Sequence, residues 1–376
     1  MAIEIYGTLY PRLFSETIPA QGPAFDIGHI ERVARAHDEA GFDGVLLPHN
    51  AGWADNFLTA ACAAGVTRKL EFLLAHRPGF VAPTLAARKL ATLDHFTGGR
   101  LRLHVVSGGR DAEQQRDGDF LGHDARYART DEFLDIVRAV WAQDRPIDYQ
   151  GRHYQVAGAF SELKPLRPGG IPISFGGASE PALQVAARHA DQYALWGETL
   201  EGTRELIARV RALARPLGRD PTFSISIRVI VGDTEAQAWR QARDIAEQTR
   251  EVGLWSDRSP VFGGHRPPAA AENEGSRRLL KLVEKGEVLD ERLFMGVAAA
   301  TNAPGNTTAI VGTPEQVAEA LLAYYDAGVG NFLFRGFDPR IDAAEHGRAL
   351  LPLLRRGAAL RDAAAAPAQP VRTAAR

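Results

Sequence analysis

The feature that most constrains this chain is its rhythm, in which short β-rich runs alternate with amphipathic helical runs. Strands are expected near residues 2–8, 43–48, 69–76, 100–107, 171–175, 191–196, 223–231 and 330–336. Helices are expected near 27–41, 54–65, 83–96, 127–143, 179–189, 201–216, 233–250, 314–327 and 342–355. Brief Gly, Pro or Asp turns join most of these pairs, and a strand–helix–strand repeat makes a parallel sheet covered by helices. Eight such units suit closure into a (β/α)8 TIM barrel, and 376 residues accommodate one barrel with insertions. An open doubly wound sheet carries the same alternation, but no G-x-G-x-x-G turn follows the first strand.

Two stretches break the rhythm. Residues 146–157 (PIDYQGRHYQVA) read as a β-hairpin turning at Gln150-Gly151. A long insertion before the last βα unit, about 251–307, mixes Gly, Pro and charge, and reads as a lid or as a tolerated surface loop. Residues 1–357 are expected to form a single domain. The Ala- and Pro-rich tail 358–376 is expected to stay outside it as a disordered segment.

The formal net charge is −2, which favours neither nucleic acid nor an anionic membrane. Hydrophobic residues make up 45% and charged residues 24%, the balance of a soluble globular protein. Cys62 is the one cysteine, so an internal disulfide and a cysteine-based zinc site are excluded, and a cytoplasmic location is expected. No segment approaches the ~20 apolar residues of a membrane span.

In a barrel the reactive residues stand at the C-terminal strand ends. Those ends are polar and aromatic: His49, Asn50 and Trp53 after the second strand, His76 and Arg77 after the third, His104 and Ser107 at the fourth. Trp196 to Glu198 follow the sixth, Arg228 lies in the seventh, and Arg335 to Phe337 close the eighth. At the fifth, Gly176-Gly177-Ala178-Ser179 opens a helix, and free N–H groups with a serine hydroxyl make an anion site there. The same turn is also compatible with Ser179 acting only as a helix cap.

Read in order, RPGFVAPTLAARKLATLDHFTGGRLRLHVVSGG (77–109), FLGHDARYARTDEF (120–133), ISFGGAS (173–179), WGE (196–198), IVGTPEQVAEAL (310–321) and FLFRGF (332–337) resemble the bacterial-luciferase-like flavin monooxygenases. Within them, these runs resemble the alkanesulfonate monooxygenases. The resemblance implies a luciferase-like barrel that binds reduced FMN (FMNH2) and uses O2 as co-substrate. It implies a flavin site at His104, Ser107, Tyr127, Gly176, Gly177, Ala178 and Ser179. Catalysis is expected of Arg228, His76 and Trp196, and substrate contact of Trp53, Arg335 and Phe337, with no metal. A separate NAD(P)H-dependent flavin reductase and a homodimer or homotetramer are implied as well. The expected activity is oxygenation of a small organosulfur or related anionic substrate.

The sulfonate-handling positions of those enzymes depart here: Trp53 stands for their cysteine, Ser226 and Arg228 for their arginine and histidine, and Phe337 for their tyrosine. Their mobile arginine falls near Ala303. Two alternatives stand beside this reading. One is an F420-dependent oxidoreductase of the same superfamily. The other is a barrel hydrolase with a metal on His49, His76 and His104, which lacks the carboxylate such a site normally wants.

Overall fold

The computed structural model describes residues 3–253 and 273–365. The first half runs β1 (Glu4–Thr8), α1 (Ile27–Ala40), β2 (Gly44–Leu47), α2 (Asn56–Ala64), β3 (Glu71–His76), α3 (Pro83–Phe96), β4 (Leu101–Val105), α4 (Asp111–Arg116), α5 (His123–Ala142), β5 (Ile147–Gln150) and β6 (Gln155–Ala159). The second half runs β7 (Ile173–Gly176), α6 (Glu180–His189), β8 (Gln192–Trp196), α7 (Leu200–Ala214), β9 (Thr222–Val231), α8 (Glu235–Val252) and α9 (Glu274–Val283). It ends with β10 (Val288–Leu289), β11 (Leu293–Phe294), α10 (Gly296–Thr301), β12 (Ala309–Gly312), α11 (Pro314–Asp326), β13 (Asn331–Phe334), α12 (Asp342–Ala349) and α13 (Leu351–Ala365).

Strands β1, β2, β3, β4, β7, β8, β9 and β13 pair in parallel in that order, and β13 returns to β1. The barrel is therefore closed, and each expected strand run overlaps one of its eight strands. Alternation decides which side chains face inward. Along β4, Leu101, Leu103 and Val105 are buried against the helices while Arg102 and His104 point into the barrel. At the N-terminal end the interior is filled by a charged layer. Arg102 pairs with Glu4 at 2.7 Å and Glu71 at 2.5 Å, and the Tyr6 hydroxyl donates to Glu71. Higher up, the inward positions of β7, β8 and β9 are small, namely Ser174, Ala194, Ser224 and Ser226. Barrel interiors are ordinarily filled by Val, Ile and Leu, so these small residues leave a hollow toward the C-terminal face.

The ten-residue β9 serves two sheets. Ser224 to Ile227 pair with β13, while Arg228 to Val231 pair with β12. β12 continues antiparallel into β11 and β10. The fork thus adds a small annex, whose core joins Ile230, Phe294, Val297 and Phe337 to α8. The hairpin β5–β6 is separate and antiparallel.

One expectation is corrected at the C-terminus. The fold does not end at residue 357: α13 runs to Ala365, Ala358 is buried, and Arg361 pairs with Asp326 and Glu319 on α11. Alanine is the best helix former, so a stretch with little to bury still extends a docked helix. Residues 366–376, the rest of the expected tail, lie outside the described residues, as do 254–272 within the expected lid.

Four histidines shifted by burial make stability depend on pH. Desolvation lowers His37, His104 and His346 to about 4 and His76 to about 3, against about 6.5 in an unfolded chain. Below pH ~6.5 the unfolded chain therefore binds protons that the folded one refuses. Each such group withdraws roughly 1.4 kcal/mol per pH unit until its folded value is reached. Asp342, buried and pushed up to about 7, acts in the opposite sense and offsets one of the four. Urea denaturation is expected to show a lower midpoint at pH 5 than at pH 7.5, and an equal or higher one would contradict this account.

Candidate active site

The hollow opens into a cavity of about 380 Å³ at the C-terminal mouth, within the range of roughly 300–1,000 Å³ typical of small-molecule sites. Its floor is set by strand residues and its rim by the βα loops.

At the fifth barrel strand, Gly176, Gly177, Ala178 and Ser179 line the cavity before the N-terminus of α6. Gly177 has φ of +139°, and a Cβ there would fall 2.8 Å from the Ala182 Cβ and 3.0 Å from the Tyr127 hydroxyl oxygen. Only glycine keeps this backbone exposed. The Tyr193 hydroxyl donates to the Gly177 carbonyl at 2.6 Å, which fixes the turn from below. Ser179 stands at the N-cap position, but its hydroxyl does not cap the helix. It lies 3.4 Å from His123 Nε2 and bonds Tyr127. Helix N–H groups, a hydroxyl and an imidazole thus converge on one spot, an arrangement that favours an anion.

His104 projects from the fourth strand, 3.2 Å from the Ser174 hydroxyl, and burial lowers its pKa to about 4. It is a neutral polar group at working pH. The Ser107 hydroxyl shares a 3.0 Å bond with Thr130 on α5. Beside them Arg77 is paired with Glu113 at 2.6 Å. Trp53, Trp196 and Arg335 also line the cavity.

Three expected site residues stand behind its walls. His76 packs between Phe57 and Phe133 and does not reach the cavity. Arg228 is fully buried, bonds Glu16, and lies 5.0 Å from the Phe337 ring. Phe337 itself belongs to the annex core. Alternation put Ser224, Ser226 and Arg228 on one face, and both serines do line the cavity. Beyond Ile227, however, β9 leaves β13 for β12, and Glu16 from the first βα loop covers Arg228.

Long-range contacts add Arg278, Gly275, Asn306 and Thr308, which the strand ends alone do not mark. Glu198 is buried on the cavity wall, and Arg278 of α9 holds it through bonds of 2.6, 2.8 and 3.0 Å. The same helix start presses on Trp196, so that a Cβ on Gly275 would fall 2.7 Å from the indole. Asn306 accepts from the Gly197 N–H at 2.9 Å, and Thr308 donates to the Gly197 carbonyl at 2.6 Å. The part of the expected lid that is described therefore forms a wall of the cavity.

The family model for luciferase-like monooxygenases matches residues 7–331. The chain belongs to that family. It is accordingly an oxidoreductase of the flavin-dependent kind. Solved structures of the same fold include a riboflavin lyase with modified FMN and riboflavin, at 20% identity and TM-score 0.77 over 95% of this chain and 92% of that one. An EDTA monooxygenase from Chelativorans sp. BNC1 shares 19% identity with TM-score 0.75 over 95% and 94%. An F420-dependent secondary alcohol dehydrogenase shares 17% with TM-score 0.66 over 94% and 99%.

In this luciferase-like monooxygenase no cluster of three His, Cys, Asp or Glu side chains is placed to hold a metal among the described residues. His76 lies outside the cavity that His49 and His104 line, so the three do not converge on one site as the hydrolase alternative needs.

Two substitutions separate bracing from binding. Arg228→Ala leaves Glu16 buried beside a lost partner, and is expected to cost about 3–5 kcal/mol of stability in denaturant unfolding while flavin affinity measured below the unfolding transition is retained. Ser179→Ala removes a hydroxyl from the anion site. It is expected to weaken FMN binding by about 1–2 kcal/mol with little change in unfolding midpoint. Reversal of the two phenotypes would overturn the assignment.

Proposed function

We propose that this enzyme is the oxygenating component of a two-component monooxygenase. It takes reduced FMN from a separate NAD(P)H-dependent flavin reductase and uses O2 to oxidise a small organosulfur compound, alkanesulfonate- or sulfone-like, or a related anion. The observation that carries this reading is the anion site at Gly177 and Ser179, opening directly into a cavity of ligand size at the barrel mouth.

The residues present fit FMN. The Gly177 backbone, Ser179, Tyr127 and His123 suit a terminal phosphate, and a side chain at Gly177 would fill the cradle. Bound reduced FMN would supply the electrons for oxygen activation, chemistry that no side chain provides. The protein's own contribution is positioning and exclusion of water. His104 and Ser107 offer uncharged hydrogen-bonding groups along the fourth strand. Trp196, pinned by α9, closes one flank, and the Glu198–Arg278 pair anchors that closure.

A homodimer or homotetramer is part of the same proposal. No helix among the described residues is long and apolar enough to cross a membrane. The competing reading is hydride transfer with F420, which the shared fold also permits.

Titration with oxidised and reduced FMN, riboflavin and F420 tests the assignment. Reduced FMN is expected to bind most tightly and phosphate-free riboflavin at least about tenfold more weakly, a difference of ~1.4 kcal/mol. Reduced FMN with O2 is expected to convert an alkanesulfonate or sulfone to a product one oxygen heavier, or to its cleavage products, detected by mass. Tight F420 binding with no FMN-dependent oxygen uptake would replace this reading with the hydride-transfer one.

A further inference from the structure

The barrel mouth has two anion-attracting ends, and FMN accounts for one of them. In the closed strand order the fifth barrel strand, β7, lies opposite the first, β1. The glycine-rich turn follows β7. Across the mouth, Tyr10 follows β1, Trp53 follows β2 and Arg335 follows β13, and all three line the cavity.

The charge at this second end does not balance. Glu16 pairs with Arg228 and stands 3.6 Å from Arg335, and among the described residues it is the one carboxylate ion-paired with either guanidinium. One carboxylate between two guanidiniums leaves one positive charge. Arg228 is sealed at 0% exposure, whereas Arg335 keeps 17% of its side chain open to the cavity. Its remaining partners are neutral: it donates to the Asn306 carbonyl at 3.2 Å and to the Tyr10 hydroxyl at 3.3 Å. A largely buried cation without its own counter-ion is costly, and an arriving anion removes that cost. The other lining arginines, Arg77 and Arg110, share Glu113 at 2.6 and 3.6 Å in the same two-to-one way, but they follow the third and fourth strands, the fourth being next to β7 and its glycine turn.

The surroundings define the rest of the ligand. Tyr10, Phe14 and Trp53 form one aromatic cluster with centroids 4.5, 5.5 and 5.3 Å apart. Phe14 is buried behind, which leaves the Tyr10 and Trp53 rings facing the cavity as an apolar wall.

We propose that Arg335 is the anchor for the substrate's own anion: the compound oxidised carries one carboxylate or sulfonate, gripped by the guanidinium fork, with an apolar body against Tyr10 and Trp53. A planar guanidinium matches two oxygens of either group. This rests on the flavin reading above, because FMN must occupy the opposite end for this one to serve the substrate.

The test is isothermal titration of the full-length protein, without flavin and with oxidised FMN, using benzenesulfonate, benzoate, methanesulfonate and the neutral methyl phenyl sulfone. Benzenesulfonate is expected to bind at least about tenfold more tightly than the sulfone, and more tightly than methanesulfonate. Arg335→Met is expected to raise the benzenesulfonate and benzoate Kd at least about tenfold, leaving sulfone and FMN affinities unchanged, with partial recovery in Arg335→Lys. Equal affinity for sulfonate and sulfone, indifference to Arg335→Met, or no binding of either aromatic anion would overturn the proposal. Methanesulfonate binding as tightly as benzenesulfonate would overturn the apolar wall. If Arg335→Met fails to fold, the sulfonate-to-sulfone ratio in the wild type and Arg335→Lys decides. Failure of FMN to bind the wild type would sink the flavin reading separately, since the anion comparison is also made without flavin.

Discussion

Strand β9 is the element on which the rest of the structure depends. A strand can satisfy one neighbour on each side, and β9 has β8 on one side and must divide the other between β13 and β12. At Arg228 the barrel wall therefore opens and the annex begins. A charged side chain at that fork is cut off from water, so Glu16 is drawn in from the first βα loop to meet it. The loop in turn carries Tyr10 and Phe14 to the cavity rim. A backbone constraint thus ends as the shape and charge of one side of the site.

The opposite side is built by subtraction. Ser174, Ala194, Ser224 and Ser226 take inward positions that larger residues would fill, and the space they leave becomes the cavity. Gly177 keeps backbone exposed at its edge, Tyr193 holds that backbone in place, and Tyr127 leaves no room there for a side chain. One end of the mouth thus attracts anions through backbone and hydroxyl dipoles, the other through a guanidinium. The two differ in kind: a fixed cradle suits a phosphate of constant shape, whereas a side-chain cation accepts several oxyanions.

The third wall joins distant parts of the chain. Glu198 and Arg278 lie 80 residues apart, and Gly197 and Asn306 lie 109 apart, yet both pairs meet at the end of the sixth strand. Side-chain hydrogen bonds of Asn306 and Thr308 with the Gly197 backbone and the Glu198–Arg278 ion pair hold the annex side against Trp196. That flank of the cavity is therefore held by the same contacts that dock the described part of the insertion on the barrel.

What the sequence by itself determined is the barrel and the address of its site. Eight strand periods separated by amphipathic helices, each legible over a handful of residues, called for a parallel sheet covered by helices and suited its closure, and the polar strand ends marked the face where the cavity opens. The glycine turn before Ser179 was legible for the same local reason, since conformation and donor geometry there depend on neighbours in the chain. The fork in β9 was not legible, because 223–231 reads as one continuous strand and nothing within it says that its partner changes at Arg228. The four-residue β12 went unmarked as a strand within its motif, and the tail's alanines gave no sign that Arg361 and Ala358 would dock. Tertiary structure alone decided that Arg228 and Phe337 brace the annex while Arg335 faces the cavity. Period-two alternation assigns a side chain to a face of its strand, but which charge is neutralised there depends on loops that fold back from more than two hundred residues away.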